Sequence, residues 1–406
     1  MSINRVKLKE IALISAGSTA PKQEYFDNEG YPFIRVSHLD DLLAGKDIND
    51  IPKINEKHAI FLKLKLTRKG TLLLAKSGMS CLKNRVYQCS SDVYVVNHLA
   101  TIEVNESLAD PSYISYFLRW FNVSKLIVDE SYPSIRTSDI SEIEIALPNK
   151  DQQRKISTIL KKAESLIDNR KEVIDKLDEF VHAVFLDIFG DPVVNDRDWQ
   201  KVKLSHHIIN IESGWSPVCK TNQAHGDEWG VLKLSAITSG SYIATENKAI
   251  TEDTTPRSGL EVKKDDLLFV RKNTLELVGT CAYVFDTPPK LMLPDTIFRF
   301  ILKEDSKINK LFLWHLFNNP NYKKQIQKLA GGTAGSMPNI SKSKLLSFEI
   351  INPDFGLQEK FSKIVIQVEQ QKRKQMKSLQ QLETNFQALL QKAFKGELTA
   401  KEGVPV

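Results

Sequence analysis

The string that comes closest to a reactive site is Asn352-Pro353-Asp354-Phe355. An Asn- or Asp-Pro-Pro-aromatic loop can hold an adenine that has been turned out of a duplex, stacked on the ring. Here the third residue is Asp, and the internally related string is Leu147-Pro148-Asn149-Lys150. We therefore read it as a turn from strand to helix. Glu261 and Asp266 are carboxylates that no pattern singles out as a nuclease site. Cys81, Cys89, Cys219 and Cys281 form no C-x-x-C pair, and no His stands at zinc-ligand spacing from two of them. They read as reduced thiols. There is no G-x-x-x-x-G-K-[ST] phosphate loop and no G-x-S-x-G nucleophile turn. His38 and the pair His206-His207 read as structural or solvated. The residues point away from catalysis and towards binding.

The elements that would position a binding surface come in two copies. Arg5-Val6-Lys7-Leu8, followed by Gly17 and Pro21, is echoed by Lys201-Val202-Lys203-Leu204, followed by Gly214 and Pro217. Phe33-Ile34-Arg35-Val36-Ser37 is echoed by Val231-Leu232-Lys233-Leu234-Ser235. Gly70–Lys76 matches Asp265–Arg271, and Pro148, Gln153, Lys155 and Ser157 recur as Pro353, Gln358, Lys360 and Ser362, 205 residues on. The constant order and nearly constant offset identify a duplication. Within each copy, short apolar runs such as Leu72–Ala75 and Leu267–Val270 are bounded as strands are. Tyr113–Phe121 and Leu311–Phe317 read as short buried helices, with a strand reading open, and Ile143, Ile145, Leu147 and Phe348, Ile350 alternate as strands do.

Each copy ends in a long segment of different period. Ile156, Leu160, Ala163, Ile167, Ile174, Leu177, Val181, Val184 and Ile188 recur in steps of four and three, with Arg170 filling the gap. The second copy has Phe361, Val365, Val368, Lys372, Gln375, Leu379, Leu382, Phe386, Leu389 and Ala393. A seam that repeats every 3.5 residues or so predicts a coiled coil. Asp151 is the expected N-cap; Gly190-Asp191-Pro192 and Gly396 are the expected stops. Each helix would run roughly 50 Å. Antiparallel packing places both copies in equivalent surroundings, related by a pseudo-two-fold axis. The expected class is α+β, with globular domains at 1–150 and 191–353, long helices at 151–190 and 354–396, and a tail at 397–406.

Composition fits this picture. The 406 residues are 41% hydrophobic and 26% charged, as in folded domains. The net charge of +6 is a mild bias that permits a nucleic-acid partner without demanding one. No N-terminal apolar segment reads as a signal peptide, and no apolar run reaches the roughly 18–20 residues of a membrane span. A cytoplasmic location is expected.

The order domain–helix–domain–helix resembles the specificity subunit of type I restriction–modification systems. The phrases that carry the resemblance are Leu267-Leu268-Phe269-Val270-Arg271-Lys272-Asn273, Leu293-Pro294-Asp295-Thr296, Gly331–Ser341 and Ala393-Phe394-Lys395-Gly396-Glu397-Leu398, with Leu73–Gly78 in the first copy. The resemblance implies that each domain is a target-recognition domain reading one half of a split double-stranded DNA sequence. It implies that the helices set the gap and dock two methyltransferase subunits, and that motor–nuclease restriction subunits join. It further implies that this chain does no chemistry and holds no cofactor, S-adenosylmethionine and ATP belonging to the partner subunits.

On that reading, loops rich in cations and hydrogen-bonding groups are the candidates for phosphate and base contacts. The first pair comprises Lys76, Ser77, Lys83, Asn84 and Arg85, with Arg271, Lys272, Asn273 and Thr274 as counterparts. The second comprises Ser134 and Arg136, with Ser336 and Asn339. The third comprises Arg35, with Lys233 and Ser235. Two rival readings stay open at this point: a coiled-coil scaffold that bridges proteins without touching DNA, and a DNA enzyme with an unrecognised nuclease or methyltransferase site.

Overall fold

The computed structural model describes residues 4–331, 337–395 and 397–398. It divides into two compact units, Met1–Lys171 with Lys377–Val406, and Glu172–Met376. Each unit therefore holds the beginning of one long helix and the end of the other.

The first unit contains β1 (Asn4–Lys7), β2 (Ala12–Ala16), β3 (Tyr31–Ile34), β4 (Lys53–Ile54), β5 (Leu72–Ala75), β6 (Val86–Gln88), β7 (Tyr94–Val95), β8 (Leu99–Val104) and β9 (Glu144–Leu147). They form a sheet of order β2-β8-β5-β6, a smaller sheet β4-β3-β7 and a ribbon β1-β9. The second unit contains β10 (Lys201–Lys203), β11 (Ile208–Ser213), β12 (Gly230–Leu232), β13 (Asn247–Ala249), β14 (Leu267–Val270), β15 (Cys281–Tyr283), β16 (Leu291–Met292), β17 (Ile297–Leu302) and β18 (Glu349–Ile351). Its sheets are β11-β17-β14-β15, β13-β12-β16 and β10-β18. The two topologies coincide strand for strand. The Val-centred phrases that open each repeat close its ribbon: Val6 pairs with Ile145, and Val202 with Ile350.

The inner strands of the four-stranded sheets are covered on both faces, which is why β5 and β14 are continuous apolar runs and not alternating ones. Every residue of Leu72–Ala75 and of Leu267–Val270 is buried. In β14, Leu267 and Phe269 join the core that includes Phe312 and Phe317, while Leu268 and Val270 face a second core with Leu232, Ile237 and Leu293. Successive strand residues point to opposite faces, so one short strand serves two cores. The helices expected from aromatic density are present at Pro111–Phe121 and Lys310–Asn318.

Both long helices are continuous over 40 residues, Lys150–Phe189 and Phe355–Phe394. The cap of the first lies two residues earlier than the expected Asp151. It is Asn149, whose Oδ1 accepts from the Gln152 N–H at 2.9 Å. Asp151 lies inside the first turn, where its charge favours the helix dipole. The equivalent cap of the second helix is Asp354, which accepts from the Leu357 N–H. The first helix ends where Gly190 adopts φ +74, and the Gly190 N–H donates to Leu186 O. Gly396 lies outside the described residues.

A buried glutamine locks each helix start to its domain. Gln153 donates to Pro148 O at 2.8 Å and accepts from the Asp110 N–H at 2.8 Å. Gln358 does the same with Pro353 O and the Asn309 N–H, at 2.8 and 2.9 Å. Asp110 and Asn309 are themselves the N-caps of the two short helices. Gln358→Ala leaves a buried carbonyl and a buried N–H without partners. It is expected to destabilise the protein by about 2–4 kcal/mol, read from chemical denaturation; a change under about 0.5 kcal/mol would contradict this role for the side chain.

Within each unit the helices run antiparallel. In the second, Phe361 meets Phe185 and Phe189, while further along Lys372 bonds Asp178 at 2.7 Å. In the first, Lys171 faces Glu383 at 3.7 Å, and Tyr116 bridges Glu164 and Phe386. Asp178 and Glu383 are equivalent positions at the repeat offset of 205. Of the expected seam, Ile156, Leu160, Ile167, Val181, Phe361, Val365, Val368 and Phe386 are buried. Ile174, Leu177, Val184, Ile188, Leu379, Leu382 and Leu389 are half-buried. Further buried positions at the helix ends lie off the seam: Phe185 and Phe189 in one unit, Leu390 and Phe394 in the other. There the domain covers the helix as well as the partner helix does. Phe189 packs 4.8 Å from Phe312, and Phe394 packs against Tyr113, Phe117 and Trp120.

Candidate nucleic-acid interface

In both units the same backbone construction gathers two of the three candidate loop pairs. The strand β5 runs into Lys76, whose N–H donates to His98 O and whose carbonyl accepts from the Ile135 N–H. Ser77 then pairs with Ser134 in an isolated bridge, and the Gly78 N–H donates to Pro133 O. In the second unit the Arg271 N–H donates to Thr296 O, and its carbonyl accepts from the Ile340 N–H. Lys272 pairs with Asn339, and the Asn273 N–H donates to Pro338 O. Ile135 and Ile340 are buried anchors. Alternation along an extended chain turns their neighbours outward. In this way Ser134 and Arg136 are exposed in one unit, and Asn339 is half-exposed in the other.

The glycines of the repeat permit this assembly. A Cβ at Gly17 would collide with the carbonyls of Val95 and Val96, and one at Gly214 with those of Leu293 and Pro294. The connectors 96–98 and 293–296 thus lie directly against the chain leaving β2 and β11.

The structure separates the candidate side chains into two groups. Lys76 and Ser77 are half-exposed, with Ser77 Oγ 2.6 Å from His98 Nδ1. Lys272 and Thr274 are exposed. Arg271 is half-buried, stacked 5.0 Å from the Phe298 ring centre, and its Nε donates to Asn339 Oδ1 at 3.1 Å. Lys342 approaches the same ring at 5.7 Å.

The rest are engaged by the fold. Asn84 sits at φ +44, donates to Arg119 O and accepts from the Val123 N–H, so it caps the end of the Pro111–Phe121 helix. Arg85 is 10% exposed and pairs with Asp40, which Lys83 also reaches at 3.4 Å. The Arg85 guanidinium, above all, holds the Asp40 carboxyl below its ordinary range. Asn273 is buried, its Oδ1 accepting from the Thr274 N–H. Lys233 and Ser235 both converge on Glu246. Arg35 lies over Phe26 at 5.1 Å, beside His38, whose pKa burial and the Arg35 charge lower. Ser336 lies outside the described residues.

His98, Trp215, Arg257 and Lys342 were not anticipated. His98 aligns with Thr296 once the repeat is extended through the connector, a signal present in the sequence. Among the described residues no group of three or more His, Cys, Asp or Glu could hold a metal ion. No described helix is long and apolar enough to cross a membrane.

A duplicated α+β chain with two matched loop surfaces and paired long helices defines a class of bipartite recognition protein. The family model for the type I restriction modification DNA specificity domain matches twice, at residues 3–179 and 197–384. The chain belongs to that family. It is 32% identical over 163 residues to the type I restriction enzyme EcoEI specificity subunit of Escherichia coli, a match covering 40% of this chain and 27% of that protein. It is 30% identical to the MjaIX specificity subunit of Methanocaldococcus jannaschii, over 41% of this chain and 39% of that protein. These matches thus span less than half the length of either relative. With the MjaVIII specificity subunit of the same organism the identity is 22%, over 80% of this chain and 75% of the other. The fold is shared with the S subunit of a type I restriction–modification system from M. genitalium, with TM-score 0.56 and 14% identity over 96% of both chains. It is also shared with a chain from a structure of the assembly and conformational transition of the type I R-M system, with TM-score 0.55 and 19% identity over 97% of this chain and 98% of that one.

Proposed function

We propose that this chain is the non-catalytic DNA-recognition subunit of a type I restriction–modification complex. Each unit reads one half of a split double-stranded target, and the long helices set the gap. The observation that carries this reading is the loop assembly built twice on one backbone plan with different side chains: Lys76, Ser134 and Arg136 in one unit, Arg271, Lys272 and Asn339 in the other. A common scaffold with divergent polar tips suits two different half-sites.

The helices also serve as the docking surface for two methyltransferase subunits, with motor–nuclease subunits joining for cleavage. Val173 and Phe180, seven residues apart on the first helix within the Glu172–Met376 unit, are exposed and support this part of the proposal. S-adenosylmethionine and ATP act on the partner subunits, in the cytoplasm.

Methylation sequencing of cells carrying the chain with its methyltransferase should reveal a split adenine-methylated motif that disappears when this gene is removed. No motif with both proteins expressed would favour the scaffold reading. Binding of the complex to target DNA should also weaken steeply with salt, because phosphate contacts release counterions.

A further inference from the structure

We propose that Arg257, whose guanidinium lies over the Trp215 indole, reads a guanine in the half-site taken by the Glu172–Met376 unit; this rests on the DNA-recognition reading above. The guanidinium carbon lies 4.1 Å from the indole centre. Arg257 is exposed, and among the described residues no side-chain hydrogen bond or ion pair holds it. Its donors are free, and contact with an aromatic face narrows the positions the guanidinium takes. Other arginines of this unit are committed: Arg299 is buried between Glu212 and Asp266, and Arg271 is tied to Asn339.

The platform itself is rigid and well placed. The Trp215 N–H donates to Leu293 O at 2.9 Å, in the close approach that Gly214 permits. Ser216 Oγ accepts from the Asp295 N–H at 3.2 Å, and the next carbonyl, Thr296 O, accepts from the Arg271 N–H. Trp215 and Arg271 therefore hang on one short connector, at Leu293 and Thr296, and Arg257 joins the same end of the unit as Lys272 and Asn339. The Arg257 N–H is held in turn by Met292 Sδ.

The surroundings favour a base edge over a phosphate. Arg257 and Trp215 border an open cleft of about 650 Å³ that Asp253, Thr254 and Ser216 also line. A carboxylate repels phosphate, whereas beside an arginine it suits a G·C pair: arginine donates to guanine O6 and N7, and aspartate accepts from the cytosine amino group. In the first unit the residue making the same backbone bond, to Val95 O, is Ser18. The platform is thus particular to one unit, as a specificity determinant should be.

The test is methylation sequencing of cells carrying the full chain with its methyltransferase, for wild type, Arg257→Ala, Arg257→Lys and Trp215→Ala. Arg257→Ala should relax one G·C position of one half-site, with preference for it falling about 10- to 100-fold. The other half-site and the gap should not change. Arg257→Lys should relax the same position, since an ammonium lacks the fork, and Trp215→Ala should do so more weakly. An unchanged motif in Arg257→Ala, a uniform fall at all sites, or wild-type selectivity in Arg257→Lys would overturn the assignment. Failure of the underlying DNA reading would look different, because wild type itself would then methylate no split motif.

Discussion

Phe361→Ala is expected to destabilise the Glu172–Met376 unit by about 3–5 kcal/mol. The side chain is fully buried, with ring centres 5.6 Å from Phe185, 5.5 Å from Phe189 and 5.2 Å from His315. These rings come from the end of one long helix, the beginning of the other and the Lys310–Asn318 helix. Removing the central ring therefore opens a cavity where all three meet, and none can close it without losing its other contacts. Domains are typically stable by only about 5–15 kcal/mol, so the loss is a large part of the total. Trp314, buried beside His315, provides a fluorescence signal for denaturant titration. Phe361→Leu, which keeps most of the volume, should cost markedly less. A loss below about 1 kcal/mol for the alanine variant would show that the cluster does not anchor the helices.

The repeat made much of this structure legible. Once Pro148 and Gln153 were aligned with Pro353 and Gln358, symmetry alone argued for antiparallel helices, and the two loop pairs fell at matching strand ends. The sheet order was not legible, because many of the strands have only two to four residues and inner ones such as Leu72–Ala75 and Leu267–Val270 are buried throughout and carry no period. Nor were Phe185, Phe189, Leu390 and Phe394 found as buried helix positions. A 3.5-residue seam describes a helix with one partner, whereas these ends have a helix and a domain against them. Asn84 and Arg85 illustrate a different gap. As loop residues they look available, yet one caps a helix that starts 27 residues later, at Pro111, and the other closes on Asp40. Trp215 and Arg257 lie in separate loops, and only the fold brings them into contact.

Deleting one heptad from each long helix, at facing positions, is expected to shorten the gap of the split target and leave both half-site sequences intact. Seven helical residues span about 10 Å, or about three base pairs at roughly 3.4 Å each. A whole heptad keeps the seam in phase on either side of the cut, so the aromatic anchors at Phe189 and Phe394 keep their partners. None of the candidate contact residues lies on the long helices. The bases chosen should therefore stay the same while their separation changes, at a lower methylation rate, since a shorter gap also turns the second half-site around the duplex. Deletion from one helix alone sets Lys372 and Asp178 out of register and should abolish methylation. The comparison isolates the role of the helices: a changed half-site sequence, or an unchanged gap with methylation retained, would mean that spacing is set elsewhere.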